Sequence, residues 1–382
     1  MFDRRGFLRL GGAATGALLV SPQIAFAAAQ TNRRFVFIIQ RGAADGLSLV
    51  PPIGDPAFAP LRGVLADNAA VPTKLDGLFG LHPALAEIGK MYGSGQASVI
   101  HAVASPYRER SHFDGQNVLE TGGLAPCQVR DGWMNRLVGL LPAARDEAIA
   151  FAPTVPLALR GTNEVASYAA SALPQAPDDL MMRVGQLYAA DKQLGPLWDS
   201  AMATRGMAGD AAPRQDPASL GKLAATFLAR PDGPRIAMIE TGGWDTHTAQ
   251  VGRLNTQLRG LDATIAALRD GLGPVWNDTV VLVATEFGRT AAVNGTGGTD
   301  HGSASAALLI GGAVKGGRII ADWPGLRPAD LYEARDLKPT LGLDAVIAGV
   351  AAETFRLDPQ RTADALFAAN RGLKSVTGLV RA

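Results

Sequence analysis

The chain has 382 residues, enough for one large domain or two ordinary ones. Its formal net charge is only +1, with neither the basic excess of a nucleic-acid binder nor an acidic tail for a basic partner. A single cysteine, Cys127, excludes an intrachain disulfide and a cysteine-based zinc site.

Residues 1–29 read as an export signal. Asp3-Arg4-Arg5-Gly6-Phe7-Leu8-Arg9 is a twin-arginine pattern, an apolar Gly/Ala/Leu stretch runs from Leu10 to Val20, and Ala25-Phe26-Ala27 is a small-x-small cleavage site, with Ala27-Ala28-Ala29 as a near alternative. The other reading is an amphipathic helix that stays on the protein. The stretch is too short and too rich in glycine for a stable membrane span. The expected partners in export are the Tat translocase and signal peptidase, and the expected location is periplasmic. That route carries folded proteins, often with a cofactor already loaded. Residues 33–382 read as one domain.

From Arg33 onward, strands and helices alternate. Short apolar runs bounded by Gly, Pro or Asp predict buried strands at Phe35–Gln40, Ala97–Ala104, Val155–Arg160, Arg235–Glu240, Thr279–Thr285 and Ala306–Ile310. A helix is expected after His82-Pro83, with Leu85, Ile88 and Met91 on one face, and another near Ser111. Val251, Leu254, Leu258, Leu261, Ile265 and Leu268 form the clearest helical stripe, stopped by Gly271-Leu272-Gly273-Pro274. Residues Gly161 to Ser200 have helical composition and are expected to cover the sheet. Ala203 to Pro217 reads as a connection, and the chain beyond Leu326 as helices and turns. The pattern predicts an α/β fold, with the Trp244 and Glu286 motifs at one sheet edge.

Ligands in such folds bind beyond the carboxyl ends of the strands. Three predicted strands run into acidic motifs there: Arg41-Gly42-Ala43-Ala44-Asp45-Gly46, Gly242-Gly243-Trp244-Asp245-Thr246-His247 and Glu286-Phe287-Gly288-Arg289-Thr290. With Gly298-Thr299-Asp300-His301-Gly302 they suggest one shared polar site for a divalent metal ion, Zn, Mn, Mg or Ca. Asp245 and His247, two apart in a loop, are ordinary metal ligands. Asp245 or Thr246 could equally cap the next helix. Asp300 and His301 sit in a Gly-rich loop that is either a site or solvated surface. Glu286 is either a site residue, with Arg289 holding an anionic substrate, or one half of an ion pair with Arg289. Asp45 is a ligand or a turn former. Ser111 could be a nucleophile in the field of a helix N-terminus, or could cap that helix as Ser111-x-x-Asp114. His112 could be a ligand, a proton carrier or a bonded loop residue. His82 and His101 read as structural.

These motifs, with Leu81-His82-Pro83-Ala84-Leu85 and Arg110-Ser111-His112-Phe113, occur in the order found in the domain-of-unknown-function 1501 family of exported bacterial proteins, which the chain resembles along its mature length. That family looks related to the alkaline phosphatase and sulfatase superfamily. The resemblance implies a three-layer α/β/α sandwich with a mostly parallel sheet and divalent metals at its carboxyl edge. It assigns Asp45, Asp245, His247, Glu286 and His301 as metal ligands and Ser111 as nucleophile, and the loop reading adds Asp300 to the ligands. One departure is Glu286-Phe287-Gly288, where the superfamily has Asp-His-Gly. This substitution removes a histidine, unless Asp300-His301 takes its role, and implies an oxygen-rich site suited to Mg, Mn or Ca. A second departure is Ala104 two residues before Pro106, which speaks against a formylglycine sulfatase. The expected function is hydrolysis of phosphate or related esters on a small anionic substrate, with Ser111, Arg289 and His112 catalytic. The alternative is an exported metal-, glycan- or partner-binding protein. A phosphoglycerate-mutase-like isomerase ranks last, because its substrate is cytoplasmic.

Overall fold

The structure, a computed structural model, describes residues 31–67, 73–142, 147–169, 178–208 and 216–382. The twin-arginine segment lies outside the described residues. Apolar, β-branched runs form the strands β1 (Arg34–Gln40), β4 (Ala97–Ala104), β5 (Ala148–Phe151), β7 (Ile236–Thr241), β8 (Thr279–Ala284) and β9 (Ser305–Ile310). Short strands β6 (Ala166–Ser167), β10 (Arg318–Ile320) and β11 (Leu341–Gly342) complete a nine-stranded sheet in the order β10-β4-β9-β8-β1-β7-β5-β6, with β11 beside β4. Strands β2 (Thr73–Lys74) and β3 (Gly80–Leu81) form a separate hairpin.

The sheet is parallel except at β9, which runs against both β8 and β4. The exits of β1, β4, β7 and β8 and the entry to β9 therefore share one edge. Those are the points where the acidic motifs, the Arg110–His112 loop and the Asp300-His301 loop leave the sheet.

Alternation along β1 fills both faces. Phe35, Phe37 and Ile39 pack against Trp133 and the helix Leu343–Phe355. Val36 and Ile38 pack against the helices Ala86–Gly93, Pro217–Leu228 and Gln250–Leu272. With both faces covered, the strands lack polar side chains through most of their length. The architecture is the expected three-layer α/β/α sandwich.

Two local expectations are corrected. Val155–Arg160 is not a strand: Leu157–Leu159 is a single 3-10 turn, and the strand of this region is β5. Pro156, which immediately precedes the turn, has no N–H to donate to a ladder. The predicted connection is partly helical, since residues up to Ala208 extend the helix Leu194–Ala208 and Pro217 opens the next one.

Asp45 caps the helical turn Gly46–Leu49 by accepting from the Leu47 N–H at 3.2 Å. Its other oxygen accepts from Ser48 Oγ at 2.8 Å and from Arg62 and Gln250. Arg62 is fully buried and also reaches the carbonyls of Thr290 and Ala291, both at 3.3 Å. Burial, the largest single effect, opposes charge on Asp45, but Arg62, Ser48 and Gln250 together outweigh it and hold the carboxyl below its ordinary range.

A folded-state pKa below the unfolded one means that this stabilisation is complete above the ordinary Asp value of about 3.9. It is lost as the pH falls through the depressed value. We predict that Asp45→Asn, which leaves Arg62 buried without a counter-charge, costs about 3–5 kcal/mol at pH 7. We also predict that it flattens the acid limb of the stability profile. Urea midpoints from pH 7 down to pH 3 test both; an unchanged midpoint at pH 7 would refute the pairing.

Candidate metal centre

At the shared edge, His112, Asp245 and His301 each offer a ligand atom within 4.8 Å of the others. His112 opens the helix His112–Thr121, Asp245 follows β7, and His301 precedes β9. His247 joins them: its Nε2 lies 3.0 Å from Asp245 Oδ1 and 2.9 Å from His301 Nε2.

Each imidazole is oriented from behind. His112 Nδ1 is 2.9 Å from Glu286 Oε1, His247 Nδ1 is 3.1 Å from Asp300 Oδ1, and His301 Nδ1 is 2.8 Å from the Arg110 carbonyl. A carbonyl and a carboxylate only accept, so each Nδ1 must donate. The neutral rings then carry lone pairs on all three Nε2 atoms. Two of these lone pairs, on His247 and His301, face each other at 2.9 Å beside a carboxylate. Only a shared cation, a proton or a metal ion, relieves that contact. The third, His112 Nε2, is buried without a hydrogen-bond partner, 3.4 Å from Asp245 Oδ2. The imidazole nitrogens of His112 and His301 with the Asp245 carboxylate form a three-ligand set that suits zinc, with His247 against two of its members.

The supporting carboxylates are held charged. Glu286 is fully buried; burial works against its charge, but His112, Gln116 at 3.1 Å and the Gly42 N–H at 2.8 Å outweigh it and keep its pKa low. Glu286 in turn raises His112, against the effect of burial. Hydrogen bonds from Asn294 and His247 depress Asp300. Burial lowers His301. Arg289 depresses Asp245 against partial burial, donating to its Oδ1 at 2.6 Å.

Backbone geometry brings these groups close. Gly42 has φ +119°, and a Cβ there would lie 2.6 Å from the Asp245 backbone nitrogen. Arg110 has φ +64°, the left-handed region, on the residue whose carbonyl faces His301. Asp336 Oδ2 holds the Arg110 side chain at 2.9 and 3.1 Å. Phe287 stacks on His112 with ring centroids 5.1 Å apart and lies 5.4 Å from the His301 ring, so one aromatic side chain buttresses two of the clustered imidazoles.

Of the residues singled out in the sequence, the structure brings together Asp245, His247, His301 and His112, and sets Glu286 and Asp300 directly behind two of the rings. Asp45 is not among them; it serves Arg62 and the helix cap. The facing donor set is richer in nitrogen than expected, because Glu286 and Asp300 spend oxygens on imidazole Nδ1 atoms. Arg289 is not available to a substrate: it is buried, paired with Asp245 and bonded to the carbonyl and hydroxyl of Thr299. Nor does it pair with Glu286. Ser111 occupies the N-cap position without a side-chain capping bond, so the capping box does not form. Its N–H donates to the Tyr107 hydroxyl at 3.2 Å.

Sequence reasoning missed Gln116, Gln250 and Thr299. Gln116 lies one turn after His112, a spacing that puts both on one helix face and could have flagged it. Gln250 and Thr299 join Asp45 to Arg289 through Gln250 Oε1, which accepts from Thr299 Oγ1 at 2.6 Å. Nothing local in the sequence announces that link.

A family model described as "Protein of unknown function (DUF1501)" matches residues 102–367. No curated protein matches the sequence. Among solved structures, the chain is similar to the lipoteichoic acid synthase LtaP from Listeria monocytogenes (10% identity, TM-score 0.36, covering 68% of this chain and 57% of that one). It is also similar to the C-terminal periplasmic domain of EcEptC from Escherichia coli in complex with Zn (10% identity, TM-score 0.38, covering 74% and 73%). A third is a protein in the alkaline phosphatase superfamily from Vibrio parahaemolyticus (12% identity, TM-score 0.35, covering 81% and 69%). The chain thus spans little more than half the length of the Listeria protein.

We predict that zinc binds stoichiometrically and that His301→Ala abolishes binding. Glu286→Gln, which removes no ligand atom, should weaken affinity by about 10–100-fold. Competition with a chromophoric chelator measures both; wild-type affinity in His301→Ala would exclude the centre.

Proposed function

We propose that this protein, which belongs to the DUF1501 family, is an exported zinc-dependent hydrolase of phosphate or related esters. What supports this is the contact between His247 Nε2 and His301 Nε2, 2.9 Å apart with both Nδ1 atoms already donating. Asp245, His301 and His112 would hold the ion, with His247 beside Asp245 and His301. Bound there, it supplies Lewis acidity and a more acidic bound water.

The chain's own groups do the rest. Glu286, Asp300 and the Arg110 carbonyl fix the three ring tautomers. Arg289 holds Asp245 in place and keeps it ionised. Ser111 stands before the first turn of the helix His112–Thr121, with its hydroxyl free of capping. The partial positive charge of that helix end favours an alkoxide or a substrate anion, so Ser111 is the proposed nucleophile. Export rests on the twin-arginine pattern; among the described residues, no helix is long and apolar enough to cross a membrane.

Turnover of 4-nitrophenyl esters by zinc-loaded protein tests the reading. Metal-ion catalysis is worth several kcal/mol, so Asp245→Ala should lower kcat/KM by at least about 10³-fold. Hydrolysis equal to wild type in that variant would remove the proposal. If Ser111→Ala keeps full activity, the nucleophile is water. Stoichiometric zinc with no turnover on a broad ester panel would favour the binding protein. Separately, replacing Arg4 and Arg5 together by lysine should leave unprocessed precursor in the cytoplasm, read by fractionation and immunoblot; normal processing would refute twin-arginine export.

A further inference from the structure

The arginines bonded to the centre or to its supporting residues, Arg289, Arg41 and Arg110, are already matched by carboxylates. Arg289 is paired with Asp245. Arg41 is two hydrogen bonds from Glu286, through Gln116, and is paired with both Glu120 at 2.8 Å and Glu240. Arg110 is shared between Asp336 and Glu333, and Arg335 adds a second cation on Asp336. Arg108, in the same loop but not bonded to the centre, donates its Nη1 to the carbonyls of Ser105 and Tyr107. Burial lowers the Arg108 pKa, and the carboxylate acting on its charge is Asp344, whose attraction opposes that lowering.

A divalent ion and Arg289 balance Asp245, Glu286 and Asp300, so the loaded centre would be uncharged. Around it, Arg41 faces two acids, and Arg110 with Arg335 faces two. No surplus positive charge remains among these groups to meet a second negative charge on a substrate. A phosphate monoester is largely a dianion at neutral pH, whereas a phosphodiester or a sulfate ester carries one charge. We propose that the centre takes esters whose reacting group bears a single negative charge and discriminates against phosphate monoester dianions.

The inference rests on the zinc-hydrolase reading and concerns which ester it accepts. For a diester the balance is simple: an oxygen of the nucleophile bonds to phosphorus, one ester P–O bond breaks, and the departing alkoxide takes the proton that the nucleophile gives up. Water is the co-reactant: where Ser111 attacks first, a water oxygen then bonds to phosphorus, the P–O bond to Ser111 breaks, and the serine oxygen takes back a proton from that water. For a sulfate ester the same accounting holds at sulfur.

The test uses full-length zinc-loaded protein at pH 8 and begins with calorimetric titration of dimethyl phosphate and inorganic phosphate, a readout independent of turnover. Dimethyl phosphate should bind at least as tightly as phosphate. Glu240→Gln, which frees part of the Arg41 fork, should tighten phosphate by about tenfold while leaving dimethyl phosphate unchanged. Glu333→Gln, at an exposed acid on Arg110, provides the same comparison if the first variant does not fold. Turnover of bis(4-nitrophenyl) phosphate, 4-nitrophenyl sulfate and 4-nitrophenyl phosphate then separates the two singly charged classes, with the monoester slowest. Phosphate binding in wild type more than about tenfold tighter than dimethyl phosphate, or monoester turnover the fastest of the three, would overturn the inference while leaving the zinc hydrolase intact. Failure to bind zinc would overturn both.

Discussion

The buried guanidinium of Arg289 joins segments that the sheet alone would leave apart. It leaves β8, donates to Asp245 beyond β7, and is anchored by the carbonyl and hydroxyl of Thr299 in the loop before β9. Thr299 continues to Gln250, and Gln250 to Asp45 and Arg62. A guanidinium suits this position because its planar fork satisfies several acceptors at once and stays charged when buried. Removing either end would leave an uncompensated buried charge, so the set stands or falls together.

Above that base, the centre follows one rule. Each histidine spends Nδ1 on an oxygen acceptor and turns Nε2 toward the others. The cost of facing lone pairs is tolerable only where a cation occupies the space between them. A carboxylate behind each of two rings also raises the basicity of the nitrogen that faces inward. Phe287 adds a flat apolar wall, so His112 is restrained by stacking as well as by Glu286. The same economy of pairing engages Arg289, Arg41 and Arg110 with carboxylates. Such a centre would select substrates by charge as much as by shape.

Much of this was legible in the sequence. Apolar runs ending in acidic motifs located the edge of the sheet, and β1, β4, β8 and the helix Gln250–Leu272 lie where periodicity put them. Asp245, His247 and His301 were named from their loops. The illegible part was partnership. Arg289 stands three residues after Glu286, yet its acid is Asp245, 44 positions upstream. Asp45 has the placement of a ligand, but Arg62, 17 residues on, reaches it in the interior. Val155–Arg160 has the composition of a buried strand, and Pro156 stands at its turn.

The sequence by itself determined the alternation of elements, the edge at which the polar loops gather and the residue types able to bind a metal. These follow from hydrophobic periodicity and from the cost of burying charge, both of which act locally along the chain. Only the tertiary structure decided which carboxylate faces an imidazole, which faces an arginine and which nitrogen of each ring points inward. Those choices depend on atoms brought within about 3 Å from strands far apart in sequence, and no local pattern encodes that distance.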